Sequence, residues 1–355
     1  MSGSISASAE AIEAAAELAS AATIAYTIII KKLDRFRLLE GVTVLLAELA
    51  RAAPLLLVLG RASPVVGDLL GQHLLGSHHQ PQDSDSVLAM ARWQDMPVVA
   101  DSALLIEQLA ASAWPAAIVQ LVDGWLLRHT PAVARRRSNS ALPPPAAAEA
   151  TAAQRAHVLD LAERFYARHN QATVVQVSPA ELHEALDSEL AMRGYRRQAP
   201  TLVLTAPIDR VLGGQGATSV AVTVAETASP RWQAAWAAVE GRADATATGQ
   251  LVLSRIGPPA GYVTATGDGD IGVLAVGMLV VERGWAGVFC MATRPQVRRR
   301  GIATAVLRCG ARWAASRGAR QLYLQVEENN LAAVQLYTRL GFQPSHHYHY
   351  RVAPS

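Results

Sequence analysis

Cysteine is almost missing from this 355-residue chain: Cys290 and Cys309 are the whole complement. Two thiols exclude a disulfide framework, and neither sits at metal-ligand spacing, so a reducing, cytoplasmic setting without a bound metal is expected. Charge is also sparse. Charged residues make up 17% of the chain, and 32 basic against 29 acidic side chains leave a net of +3. That is too little to hold nucleic acid by electrostatics alone, so no nucleic-acid partner is expected. Long hydrophobic runs are missing as well. Leu18–Ile30 is uncharged but shorter than the roughly 20 residues a span needs, and Glu10, Glu13 and Glu17 precede it where a signal peptide would be basic. A second stretch, Val42–Leu70, is broken by Glu48, Arg51, Pro54, Arg61 and Pro64. No integral membrane span is expected from either. What the chain does have is apolar side chain, 51% of residues, enough to bury a core and far from a disordered composition. At about 150 residues per domain, this length implies two or three domains.

The pattern along the chain divides it further. Residues 1–100 read as an Ala- and Leu-rich helical extension that carries no chemistry. They end in a polar loop whose His78 and His79, like His73, lack the partners of a metal site. Residues 101–207 alternate helix and strand, the mark of a layered α/β domain. Gly124–Arg128 reads as a strand with Arg135–Leu142 as its hairpin partner, and a helix covers Thr151–His169. Thr173–Val177 is the next strand. Ser178 and Glu181 have capping-box spacing around Pro179, and Leu182, Leu186 and Leu190 line the helix that follows. Residues 208–217 read as a linker: Gly213-Gly214-Gln215-Gly216 resembles a phosphate loop, but no helix opens after it. In 218–355 a helix capped by Ser229 and Pro230 leads to strands at Gln250–Arg255, Gly261–Thr266 and Ile271–Val281, with Asp268-Gly269 as a hairpin signal. A further strand, Ala286–Thr293, runs into an arginine cluster.

That cluster carries the chemistry. A strand, then Arg298-Arg299-Arg300-Gly301-Ile302-Ala303, then a helix with Ile302, Val306, Cys309 and Trp313 on one stripe, aims unpaired N–H groups and a positive helix end at one point. Such a point suits a phosphate or pyrophosphate. The dipole alone supplies only about 0.3–2 kcal/mol, so hydrogen bonds and nearby arginines must add to it. The six residues also match Q/R-x-x-G-x-G/A, the cofactor loop of the GNAT superfamily of acyl-CoA-dependent N-acyltransferases. A second element stands at the expected distance: the strand Leu322–Glu327, then Asn330, Ala333, Leu336 and Tyr337, then Leu340-Gly341-Phe342. The resemblance covers 218–355 and extends more faintly to 101–207, where Arg193-Gly194-Tyr195 repeats the helix, glycine, aromatic arrangement. There Ser138-Asn139-Ser140 follows the arginines Arg135–Arg137 in place of the glycine pattern. The chain thus resembles two tandem GNAT-like units, each a mixed sheet flanked by helices, the first a degenerate half that does not bind cofactor.

The resemblance implies acetyl-CoA as co-substrate and direct transfer of an acetyl group to the primary amine of a small molecule or peptide. It implies that Met291, Ala292 and Thr293 receive the pantetheine arm between two splayed strands. Backbone amides from Arg299 to Ala303 would hold the pyrophosphate, with the side chains of Arg298, Arg299 and Arg300 adding charge, and Asn330 would steady the arm. Tyr337 matches the family's acid, with a core aromatic beside Leu336 as the plainer alternative. Glu327 is the candidate base: strand alternation sets Tyr323, Gln325 and Glu327 opposite Leu322, Leu324 and Val326. It would take the amine proton directly or through water, or else only orient the substrate or the next helix. A sensor that binds acyl-CoA without turnover, or a module that recruits a partner, is the rival class. The His346–Tyr350 tract reads as a closing strand near the acceptor pocket, with Tyr348 and Tyr350 on one face and His347 and His349 on the other, rather than as a metal site. Cys290, on a central strand, reads as an inert thiol. The acceptor and the oligomeric state are not encoded in any motif.

Overall fold

Strand and helix alternate through residues 101–354 and close into a single sheet. The computed structural model describes residues 100–214, 220–241, 243–267 and 272–354; the helical reading of 1–99, the histidines at 73, 78 and 79, and the Asp268-Gly269 turn fall outside them. The elements in order are α1 (Ala100–Ala113), β1 (Ile118–Val122), β2 (Trp125–His129), β3 (Ala141–Leu142), α2 (Ala152–Arg168), β4 (Val174–Val177), α3 (Glu184–Met192), β5 (Arg196–Pro207) and α4 (Ile208–Leu212). They continue as β6 (Ala221–Ala225), α5 (Pro230–Glu240), α6 (Ala245–Leu251), β7 (Ala260–Thr266), β8 (Val273–Glu282), β9 (Trp285–Thr293), α7 (Ile302–Ala315), β10 (Gln321–Glu327), α8 (Leu331–Arg339) and β11 (Gln343–Val352).

The sheet order is β1-β2-β3-β4-β11-β5-β10-β9-β8-β7-β6. From the centre outward it is nearly a palindrome, because β3-α2-β4-α3-β5 recurs as β9-α7-β10-α8-β11. In each unit the first two strands are parallel neighbours joined through a helix. Each unit also lends its last strand to the other: β11 pairs with β4 and β5, and β5 with β11 and β10. Apolar helix faces complete the layers. Val158, Leu159, Ala162, Phe165 and Tyr166 of α2, with Leu186 and Leu190 of α3, pack on Leu127, Val175 and Val177. A second core gathers Trp114, Trp232, Trp236, Phe289, Tyr323, Tyr348 and Tyr350.

Ion pairs fasten the exchanged strand. Asp187 of α3 accepts from Arg351 Nε at 2.7 Å and Nη2 at 2.9 Å, and lies 2.6 Å from His349 Nε2. Burial works to raise its pKa, but the hydrogen bonds from Arg351 and then His349 outweigh it and hold the carboxyl down at about 2. A depressed carboxylate stabilises the fold above its ordinary pKa and loses that contribution as pH falls toward the folded value. Asp187→Asn should therefore cost on the order of 1 kcal/mol at neutral pH, the group being partly exposed. In urea titrations between about pH 2 and 6 the variant should lose less stability on acidification than the parent. Equal acid slopes would rule this carboxylate out as a source of the pH dependence.

Local expectations fail where tertiary contacts override short patterns. Gln250–Arg255 is not a strand: it is the end of α6 and a 3-10 turn over Leu253–Arg255. A short apolar run does not distinguish the two states, and here Ala245, Thr248 and Gly249 face inward at helical spacing. Ser178 and Glu181 form no capping box; residues 180–182 make a 3-10 turn, α3 starts at Glu184, and the Glu181 carboxylate is taken by His347 at 2.7 Å. The main hairpin partner of β2 is β1, through the left-handed pair Asp123-Gly124, while only Ala141–Leu142 of the expected segment pairs with it. Residues 208–212 of the expected connection are the helix α4. The Thr151 helix is as expected, its capping box closed by Gln154.

Candidate active site

The parallel pairing of β9 with β10 runs from Trp285↔Gln321 to Val288↔Leu324. Past that point β9 bulges away. Met278 pairs with Phe289 and Val276 with Ala292, so one extra residue is taken up at Cys290-Met291, and Cys290 has φ 53°. A bulge with positive φ at a non-glycine residue marks backbone whose polar groups are not spent on a ladder. Room on the other side comes from Gly277, where a Cβ would lie 2.7 Å from Met291 Sδ. Between the splayed ends opens a cavity of about 780 Å³, walled by Val288–Met291, Leu324–Glu327, Asn329, Asn330, Ala333 and Tyr337. Burial holds the Cys290 thiol well above the ordinary thiol range, in keeping with an inert residue.

Beyond β9, Arg298 Nε donates to the carbonyl of Thr293 at 3.2 Å and ties the turn to the strand end. Arg299 and Gly301 both take left-handed φ, 61° and 75°, which curves successive N–H groups toward one side as in an anion nest. Gly301 caps α7 and, being glycine, places no side chain of its own on the first-turn donors. Ile302 is buried and Ala303 half-buried, while the side chains of Arg298, Arg299 and Arg300 stand in solvent. This donor set fits a diphosphate. The corresponding strand-to-helix junction of the first unit is 143–151, not the Ser138–Ser140 segment after the arginines. Pro143, Pro144 and Pro145 there offer no N–H, and Thr151 with Gln154 occupies the first turn of α2.

Asn330 caps α8, its side chain accepting from Ala333 N–H at 3.3 Å. One helical stretch later Tyr337 reaches the same cavity, packed edge-on to Phe342 at 5.7 Å. Burial pushes its phenol up to about 12, so it is protonated at any working pH. Glu327 stands at the exposed rim of the cavity, and Gln325 deeper inside. The cavity thus brings together Met291, Asn330, Tyr337 and Glu327, while Ala292 and Thr293 lead to the nest at Arg299–Ala303.

The first unit supplies the opposite wall, which sequence spacing does not announce. Trp114 and Arg135–Arg137 line it, with Tyr348 and Tyr350 of the exchanged strand. As alternation predicts, the His347 and His349 rings lie on the far face, against Glu181 and Asp187. Arg135 makes a two-pronged pair with Glu240, both bonds 2.7 Å. Trp114 Nε1 donates to Ser138 Oγ at 2.9 Å, and Asn139 Nδ2 donates to the carbonyls of Val133 and Arg135. Ser138 and Asn139 therefore staple the arginine loop in place. The signal was the arginine run followed by small polar residues, but its destination depends on contacts across the sheet. Among the described residues there is no cluster able to hold a metal ion, and no helix long and apolar enough to cross a membrane.

A mixed sheet with one splayed parallel pair, a bulged central strand and a glycine-led helix beside them defines an N-acyltransferase of the GNAT type. The chain belongs to the family described as "Probable histone acetyltransferase Rv0428c C-terminal", whose model matches residues 104–351. It is 28% identical over 248 residues to an "Uncharacterized N-acetyltransferase YobR" of Bacillus subtilis, spanning 70% of this chain and 97% of that protein. Over 55 residues it is 42% identical to a mycothiol acetyltransferase of Amycolatopsis mediterranei, 16% of this chain and 18% of the relative. Its fold is that of a GCN5-related N-acetyltransferase from Kribbella flavida, with a TM-score of 0.52 at 18% identity, covering 71% of this chain and 96% of that one.

Proposed function

We propose that the chain transfers an acetyl group from acetyl-CoA directly to a primary amine. The 218–355 unit is the catalytic one, 208–217 the connection, and 101–207 a companion that binds no cofactor of its own. The observation that carries this reading is the parting of β9 from β10 beyond Val288 and Leu324 into a cavity lined by Met291 and Tyr337, with β9 running on from that cavity to the glycine-led start of α7. Acetyl-CoA supplies the activated acyl group as a thioester. Backbone amides of Arg299–Ala303 bind its diphosphate, with Arg298–Arg300 adding charge. Met291–Thr293 pair with the pantetheine arm and polarise the thioester carbonyl, and Asn330 steadies that arm. Glu327 takes the proton of the attacking amine, directly or through one water. Tyr337 donates its hydroxyl proton toward the departing sulfur; the burial that raises the phenol also raises the basicity of a thiolate formed there.

The test is thiol release from acetyl-CoA with a panel of amines. Glu327→Gln should lower kcat by about 10²-fold with little change in KM, as for loss of a base. A rise in KM alone would make Glu327 a substrate-orienting group instead. Saturable acetyl-CoA binding without thiol release from any amine would favour a sensor over an enzyme.

A further inference from the structure

Two hydrogen-bond donors in the cavity wall have nothing to donate to among the described residues. Arg137 Nε and Gln325 Nε2 are buried without a hydrogen-bond partner, and both residues line the cavity. They are neighbours through Tyr348, whose hydroxyl donates to Gln325 Oε1 at 3.4 Å and accepts a hydrogen bond from the Arg137 guanidinium, leaving the Arg137 Nε unmet. A buried unmet donor is costly, and more so when it is charged, so two together in one cavity call for an acceptor from outside the chain.

The surroundings say what kind. The Arg137 guanidinium lies over the rings of Trp114 at 5.7 Å and Phe289 at 5.5 Å. Those two rings stack on each other at 6.0 Å and so flank the guanidinium from one side, while the unmet Nε belongs to the N–H fork, whose geometry matches a carboxylate. Among the described residues, the neighbouring carboxylates do not fill the place. Glu240 is committed to Arg135, and Glu107, which acts on Arg137 through space, is held by His346 at 2.9 Å and Gln176 at 3.0 Å. Three aromatic faces of this wall are already covered by arginine rather than open to a cationic group: Arg135 lies over Trp236 at 4.9 Å, and Arg137 over Trp114 and Phe289.

We propose that the acceptor is an amine that also carries a carboxylate, and that Arg137, presented by the companion unit with Gln325 beside it, receives that carboxylate. This rests on the reading above that the cavity admits the amine. Phe289, which touches Arg137, precedes Met291 by two residues, at most about 7 Å of chain. A carboxylate at Arg137 thus places an amine a few bonds away near the thioester. The geometry also gives the companion unit a purpose: its stapled arginine loop selects the substrate for the catalytic half.

The experiment compares matched acceptors, α-, β- and γ-amino acids against their carboxamides, by kcat/KM with the parent, Arg137→Gln and Arg137→Lys. The parent should prefer one or more carboxylates over the amide by about 10- to 150-fold, the range for hydrogen bonds to a charged group. Arg137→Gln should lose that preference by lowering only the carboxylate acceptors, and Arg137→Lys should keep part of it. Equal rates for acid and amide in the parent, or an equal loss on both in Arg137→Gln, would overturn the assignment. Calorimetric titration of the same pairs into the full chain without acetyl-CoA separates the two readings. Selective binding of the acid upholds the carboxylate site even if no transfer occurs, and transfer without any preference for the acid refutes it while leaving the acetyltransferase reading intact. Because the acid-against-amide comparison uses the parent chain, it stands even if the glutamine variant misfolds.

Discussion

Replacing Tyr337 with phenylalanine should lower kcat by about 10²–10⁴-fold, the usual worth of a positioned acid, with acetyl-CoA affinity nearly unchanged. Tyr337 is almost fully enclosed by α8 and Phe342 yet borders the cavity, so removing one oxygen leaves the packing in place. The pH profile adds a second reading. With the phenol held at about 12, its ionisation should cause no alkaline fall in kcat below about pH 10 in the parent. Steady-state kinetics from about pH 6 to 10 on both proteins checks this. Activity of the variant within about threefold of the parent would mean that sulfur departs without help from this hydroxyl.

Gly301→Val should weaken acetyl-CoA binding by about 10- to 100-fold. Gly301 sits at φ 75°, where a β-branched residue is a steric outlier and left-handed backbone costs roughly 1–2 kcal/mol. The chain can relieve that strain only by turning the Arg299–Ala303 amides away from a common point, which destroys the nest before it unfolds the helix. Calorimetric titration with acetyl-CoA, beside circular dichroism to confirm helix content, tests it. Unchanged affinity in a folded variant would place the diphosphate elsewhere.

The second βαβ unit was legible because its signals are local. Strand, arginine-glycine turn and helix follow one another within residues 286–315, and Asn330, Tyr337 and Gly341 fall at fixed steps behind. The capping of α2 by Thr151 and of α5 by Ser229 is local in the same sense. The exchange of β5 and β11 was not legible, since each strand pairs with elements more than a hundred residues away and alternation alone carries no partner. The same reason hides the wall of the cavity built by Trp114 and Arg137. Gln250–Arg255 misled because a short apolar segment satisfies helix and strand alike. Glu181 misled because its carboxylate is claimed by His347 rather than by its own helix. Ser138–Ser140 misled as the first unit's counterpart of the glycine turn because strand β3 starts just after them, and the strand-to-helix junction, with its three prolines, comes later.

The central claim is that acyl-CoA is held by the second unit at the end of β9 and the start of α7. Amide hydrogen exchange, followed by mass spectrometry on the full chain with and without saturating acetyl-CoA, addresses it directly. Slowed exchange across Met291–Thr293 and Arg299–Ala303, with residues 143–154 unchanged, is the predicted result. No change at the first two segments, or slowing confined to 143–154, would contradict the account.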